Sequence, residues 1–120
     1  MRKAAMIATA AMAAWLPLGA AAQDGQALFR RSCGGCHAVA PGQNRIGPTL
    51  AGIAGKPAAA VPGFAYSDAL KNAHVTWSDD LLEKYVMDPK GTVPGTQKSF
   101  AGVKDPADAK AIVDYLKTLK

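Results

Sequence analysis

Apolar residues recur at helical spacing in a segment that begins at residue 25. Gly25, Phe29 and Cys33 follow one another at i, i+4 and i+8, so they share one face of a helix predicted over 25–36. Asp24 stands directly before this segment, where its side chain can cap the first unbonded N–H groups. The pattern predicts an amphipathic helix early in the chain.

A second amphipathic helix is predicted at the other end. We expect this helix to begin at Asp105 and Pro106, because proline is favoured at the first helical position. We expect the two terminal helices to bury their apolar faces on each other, and Gly25 would let them approach closely. The apolar stripe of the last helix consists of Ile112, Tyr115, Leu116 and Leu119.

Two shorter helices are predicted between the terminal ones. The first covers 67–72, and the second runs from Ser78 as N-cap to about Met87. Two aspartates follow Ser78, where the helix dipole favours negative charge, and Pro89 ends the helix. No segment alternates apolar and polar residues over a useful length, so the expected fold class is all-α with three to five helices.

The remaining segments, 38–62 and 90–104, are rich in glycine and proline and are predicted to be loops. Loops of this length are unusual in an ordinary small domain. The hydrophobic fraction is 49%, but much of it is alanine and only 7% of residues are aromatic, so the side chains alone would make a thin core. A bound apolar cofactor would explain both features.

The first 22 residues have the layout of a secretory signal peptide. Arg2 and Lys3 precede an apolar run over 4–18, and three alanines at 20–22 form a small-residue cleavage site. The alternative is a membrane anchor, but the run is about 15 residues and a spanning helix needs about 20. We therefore predict a signal peptide over 1–22, a single domain over 23–120 and export to the periplasm.

The charge composition argues against a disordered chain and against a nucleic-acid partner. The charged fraction is 19%, too low for a disordered polyelectrolyte. Without Arg2 and Lys3 the net charge falls from +5 to +3, and no basic run appears. A nucleic-acid partner is therefore not expected.

The only two cysteines form the sequence Cys33-Gly34-Gly35-Cys36, followed at once by His37. A redox dithiol of the thioredoxin type would need a βαβ setting, which the pattern does not predict. A zinc site needs four ligands, and His74 is the only other histidine. The remaining interpretation is covalent attachment of one haem c, with thioethers at Cys33 and Cys36 and iron ligation by His37.

The chain from residue 25 to its end resembles class I cytochrome c, specifically the mitochondrial and α-proteobacterial branch. The matching stretches are Cys33-Gly34-Gly35-Cys36-His37, Gly47-Pro48-Thr49-Leu50, residues 63–69, Thr76-Trp77, Tyr85 with Pro89, and Pro94-Gly95-Thr96 leading to Phe100-Ala101-Gly102.

The resemblance implies roles for further residues. The carbonyl of Pro48 would accept a hydrogen bond from the His37 ring, which fixes the tautomer. Tyr66 and Trp77 would donate to a haem propionate, although a tryptophan such as Trp77, taken alone, is more often plain core. Tyr85 would lie beside the distal face, and Phe100 would cover the haem edge.

The sequence departs from the family pattern at the distal ligand. The family has methionine two residues before Phe-Ala-Gly, and this chain has Lys98 there. Met87 is the only methionine outside the predicted signal peptide, at a position that does not ligate in the family. Two smaller departures from the family pattern are Leu70, where the family commonly has asparagine, and Lys56, where it commonly has arginine.

The expected function is that of a soluble periplasmic one-electron carrier, a monomer and not an enzyme. It would dock weakly on other redox proteins or membrane oxidoreductases. Lys56, Lys90 and, if it does not bind iron, Lys98 would steer acidic partners, although an ordinary solvated surface explains these lysines equally well. If Lys98 does not bind iron, the alternative is a ligand-binding or peroxidase-like haem protein with an open distal site. A third possibility is an accidental substitution in a methionine-ligated carrier.

Overall fold

The computed structural model describes residues 20–96 and 100–120. Within these residues the only β pairing is an isolated bridge between Pro57 and Thr76, so the predicted all-α class is confirmed. The helices are α1 (Ala20–Ser32), α2 (Asp68–Lys71), α3 (Asp79–Met87), α4 (Pro89–Thr92) and α5 (Pro106–Leu116).

The terminal helices α1 and α5 pack on each other, as the apolar stripes predict. Phe29 is buried between them with Ile112 and Leu116, and the rings of Phe29 and Tyr115 lie 5.5 Å apart at their centroids. A Cβ built on Gly25 would meet the carbonyl oxygen of Ala111. The close approach expected at Gly25 is therefore present.

Helix α1 differs from its predicted limits at both ends. Asp24 is not the N-cap, because the helix begins at Ala20 and continues through the strongly helix-forming alanines before it. The helix ends at Ser32 rather than 36, because Gly34 and Gly35 favour a turn. In that turn the His37 amide still donates to the Cys33 carbonyl at 3.0 Å.

The predicted signal peptide lies outside the described residues except for 20–22, and cleavage after residue 22 stays a prediction. Among the residues that the structure describes, no helix is long and apolar enough to cross a membrane.

The middle helices follow from their caps. Ser67 and Ser78 accept hydrogen bonds from the amides of Leu70 and Leu81, as expected at the starts of α2 and α3. The loop predicted over 90–104 is wrong at its start, where α4 forms. Asp88 caps this helix with a 3.0 Å bond from the Gly91 amide, and Pro89 occupies a first-turn position that suits it.

A second core lies where α3 meets α5. It contains five buried residues, Trp77, Leu82, Tyr85, Val93 and Val113. At its edge Lys117 and Asp79 form an ion pair of 2.8 Å between the end of α5 and the start of α3. Together with the α1–α5 contact, this core places three helices around one side of a cavity.

Candidate functional site

A cavity of about 510 Å³ lies among α1, α3, α5 and the long loops. Its lining is mostly apolar, and Ile46, which lines it, is 81% exposed, so the cavity opens to solvent there. Every predicted site residue that the structure describes lines this one cavity. These residues are Cys33, Cys36, His37, Pro48, Tyr66, Trp77, Tyr85 and Phe100.

The imidazole of His37 is held in one orientation. Its Nδ1 lies 2.8 Å from the carbonyl oxygen of Pro48. A carbonyl carries no proton, so Nδ1 must donate, and the neutral ring then keeps its lone pair on Nε2. Nε2 is therefore the ring atom whose lone pair would ligate a metal ion.

Gly47 lies directly against the His37 ring, a contact that its place in the matching stretch Gly47-Pro48-Thr49-Leu50 did not predict. A Cβ built on Gly47 would lie 2.6 Å from Nδ1 and 2.7 Å from Nε2 of His37. Glycine is thus required by close approach to the ring, and the Gly47 amide also donates to the Cys36 carbonyl at 2.8 Å. The position directly before a ring-anchoring proline was the only signal in the sequence.

The two cysteines lie on the turn after α1, with Cys33 half-buried and Cys36 exposed. Among the described residues no group of three or more His, Cys, Asp or Glu side chains could hold a metal ion. A zinc site is therefore not assembled within this part of the chain. Two thiols and one imidazole beside a large apolar cavity instead fit a macrocycle bound by thioethers, whose iron needs a nitrogen ligand.

Two donors on the cavity wall fit an acidic group. The Tyr66 hydroxyl accepts from the Val61 amide at 3.0 Å, which leaves its own proton to donate. Trp77 is only 5% exposed and lines the same cavity, and its indole N–H is a hydrogen-bond donor. Burial raises the pKa of Tyr66, so the hydroxyl keeps its proton. Both groups suit the carboxylates of a haem.

Tyr85 connects the cavity to the second core. Its hydroxyl lies 3.2 Å from that of buried Thr96, and its ring packs edge-on against Trp77 at 4.9 Å. Burial raises the pKa of Tyr85, although the bond to Thr96 acts in the opposite direction. Thr96 also lines the cavity; it belongs to the matching stretch Pro94-Gly95-Thr96, but no role was predicted for it.

The predicted distal ligand, Lys98, lies outside the described residues. Thr96 and Phe100, the nearest described residues on either side, both line the cavity. No methionine occurs among the described lining residues, and Met87 is absent from them. Leu70 lines the cavity, whereas Lys56 is exposed and does not.

Comparison with known proteins agrees with this geometry. The cytochrome c family model matches residues 22–120. Cytochrome c2 iso-2 of Magnetospirillum molischianum is 47% identical, over 73% of this chain and 91% of the relative. Cytochrome c2 of Blastochloris viridis is 43% identical, over 82% and 80%. The solved structure of cytochrome cH from Methylobacterium extorquens has a TM-score of 0.76 and 41% identity, covering 81% of this chain and 97% of that one.

Proposed function

Because the chain belongs to the cytochrome c family, with a class I fold and one covalently bound haem c, we propose that it is a one-electron carrier of the bacterial periplasm. It is an electron-transfer haem protein. Its periplasmic location, its partners and the roles of its individual residues are what we propose. The observation that carries it is the convergence of Cys33, Cys36 and His37 on one apolar cavity that opens to solvent.

In this proposal the haem supplies one reversible electron, and the chain holds and surrounds it. Cys33 and Cys36 tether it, and Nε2 of His37 ligates its iron while Pro48 orients the ring. Tyr66 and Trp77 donate hydrogen bonds to its carboxylates. The apolar lining, which includes Tyr85 and Phe100, excludes water from the rest of the cavity.

Electron exchange would occur where the cavity meets solvent, near Ile46 and Cys36. We propose weak, transient docking there by other redox proteins or membrane oxidoreductases, with the carrier as a monomer that has no catalytic residues. Lys56 and Lys90 are exposed and would attract acidic partners, although a net charge of +3 outside the predicted signal peptide makes this steering modest.

The test is expression in a bacterium that attaches haem outside its cytoplasm, followed by fractionation and intact-mass measurement. We expect a periplasmic protein whose mass equals residues 23–120 plus one haem, with haem that survives acid–organic extraction. Reversible one-electron titration should follow. Cys36→Ala should leave one thioether at most, while Ser32→Ala is the neighbouring control. Extractable haem or retention in the membrane fraction would contradict the proposal.

We further propose that Lys98 is the distal ligand, because no methionine lines the described cavity and its neighbours Thr96 and Phe100 do. Lysine must lose its proton to coordinate, and metal binding favours that loss. The ferric protein should then be low-spin at neutral pH, and Lys98→Ala should abolish that spectrum, with exposed Lys90→Ala as control. Lys98→Met should raise the reduction potential.

The absence of methionine from the described lining equally favours the alternative, an open site that binds small ligands or reacts like a peroxidase. In that case the ferric parent protein is high-spin and binds added imidazole or azide readily. A Lys98→Ala protein with the parental spectrum would then exclude lysine ligation.

A further inference from the structure

The loop that carries Pro48 is held by a cluster of hydrogen bonds around Thr49, which is only 5% exposed. The Thr49 hydroxyl donates to the Ala40 carbonyl at 2.7 Å and accepts from the Ala51 amide at 3.2 Å. The Thr49 amide donates to Oδ1 of Asn44 at 3.1 Å. No helix or strand runs through 38–51, so these bonds hold the loop in place.

One peptide unit in this loop is bonded at both of its edges. The carbonyl of Pro48 and the amide N–H of Thr49 belong to the same planar group. The carbonyl accepts from Nδ1 of His37 at 2.8 Å, while the N–H donates to Asn44 at 3.1 Å. Asn44 is therefore connected to the imidazole through a continuous chain of two hydrogen bonds and one peptide group.

Chains of hydrogen bonds strengthen one another, because each bond polarises the next group. Donation from the Thr49 N–H to Asn44 makes the Pro48 carbonyl a better acceptor. A better acceptor pulls harder on the Nδ1 proton, and the ring becomes more electron-rich at Nε2.

We propose that Asn44 is a positioning residue that acts through the Thr49–Pro48 peptide group on His37 and so sets the reduction potential. Asn44 is not among the residues that line the cavity. The inference rests on the proposed role of His37 as iron ligand. An electron-rich imidazole stabilises ferric iron, so Asn44 lowers the potential relative to a chain without this acceptor.

The experiment uses the holoprotein. In Asn44→Leu the acceptor is lost, so we expect a more positive midpoint potential. The exchange of the His37 Nδ1 proton, followed by NMR, should be faster by up to about 2-fold, because a neighbouring bond changes the strength of a hydrogen bond by roughly 10–30%. Asn44→Asp keeps the oxygen and adds charge, so it should shift both quantities in the opposite direction.

Gln43 supplies the matched control, because it is exposed and next in sequence. Gln43→Glu adds the same charge as Asn44→Asp, and Gln43→Leu makes the same kind of change as Asn44→Leu. We expect the Asn44 variants to exceed these controls in both readouts. If Asn44→Leu fails to fold, the comparison of Asn44→Asp with Gln43→Glu decides alone.

Failure of the inference about Asn44 can be distinguished from failure of the proposed haem site. If the Asn44 variants carry parental haem and match their controls in potential and Nδ1–H exchange, Asn44 only holds the loop and this inference is wrong. If His37→Ala retains the parental spectrum, His37 is not the ligand, and the proposed site fails together with everything built on it.

Discussion

Gly47→Ala adds a single methyl group beside the His37 imidazole and so tests how closely this residue confines the ring. Its Cβ would meet the imidazole at both nitrogens and at Cε1. We expect Gly47→Ala to displace the ring from Pro48 and to lower the free energy of unfolding by about 1–3 kcal/mol, as overpacking does. Denaturant unfolding of the holoprotein measures this loss.

Gly35→Ala is the control for Gly47→Ala, because nothing lies within 4 Å of a Cβ built there. The two substitutions lower chain entropy alike, so only the contact with the ring differs. Equal stabilities of the two variants would show that His37 is not confined by Gly47.

Tyr85 tests how burial affects a titrating group beside the cavity. Removing its hydroxyl in Tyr85→Phe leaves the buried Thr96 hydroxyl without this partner and should cost about 1 kcal/mol. Burial raises the pKa of Tyr85 above 10.0, so the unfolded chain loses this proton first as pH rises. Its contribution to stability is complete below about pH 10 and is lost as pH climbs through the folded pKa.

The measurement for Tyr85 is the free energy of unfolding at about pH 8 and about pH 11, which lie on either side of the ordinary tyrosine pKa. Tyr85→Phe should lose less stability between these two values than the parent. Tyr115→Phe removes a phenol on α5 and is the control. A Tyr85→Phe protein with the parent's alkaline loss would contradict the role of burial.

At the scale of helices, the α1–α5 contact depends on Gly25. Alanine at this position gains about 1 kcal/mol of helix propensity. However, its Cβ would meet the Ala111 carbonyl oxygen, with the Tyr115 Cβ at 3.1 Å. The neighbour is helix backbone and cannot move alone, so overpacking of about 1–3 kcal/mol should prevail and Gly25→Ala should destabilise. Thermal unfolding, with Gln26→Ala as control, shows whether Gly25→Ala raises or lowers the stability of the protein.

The α3–α5 contact carries an ion pair with a predictable pH dependence. The hydrogen bond and charge of Asp79 raise the pKa of Lys117 above 10.5. A raised lysine pKa stabilises the fold below pH 10.5, and this contribution disappears as pH rises through the folded value. Asp79→Asn should lower the Lys117 pKa in an NMR titration, whereas Asp80→Asn should change it less. High salt should reduce the difference.

At the scale of the whole molecule, the cavity of about 510 Å³ bears on the free energy of unfolding, because a small domain is only marginally stable. Because the cavity opens to solvent, its mostly apolar lining is hydrated when no group fills it, and the apolar contacts with a bound macrocycle are missing. Losing these contacts removes a large share of that marginal stability. We therefore expect the Cys33→Ser, Cys36→Ser chain without haem to lack a cooperative thermal transition, by circular dichroism. A sharp transition near that of the holoprotein would show that the core does not depend on the cofactor.

The sequence by itself determined what depends on near neighbours. The Cys33–His37 spacing, the serine caps of α2 and α3, and the apolar faces that join α1 to α5 all follow from groups a few residues apart. Eight predicted site residues line the cavity for a related reason, since the motif order over the whole chain identifies the family, and a family shares its fold.

Only the tertiary structure decided which distant groups meet. It placed Gly47 against the His37 ring, paired Tyr85 with Thr96, and connected Asn44 to the imidazole through one peptide group. It also began α4 at Pro89 and α1 at Ala20, where alternatives of similar local free energy compete. Such contacts depend on how the loops fold around the cavity, and local propensity does not specify distances between segments that are far apart in the chain.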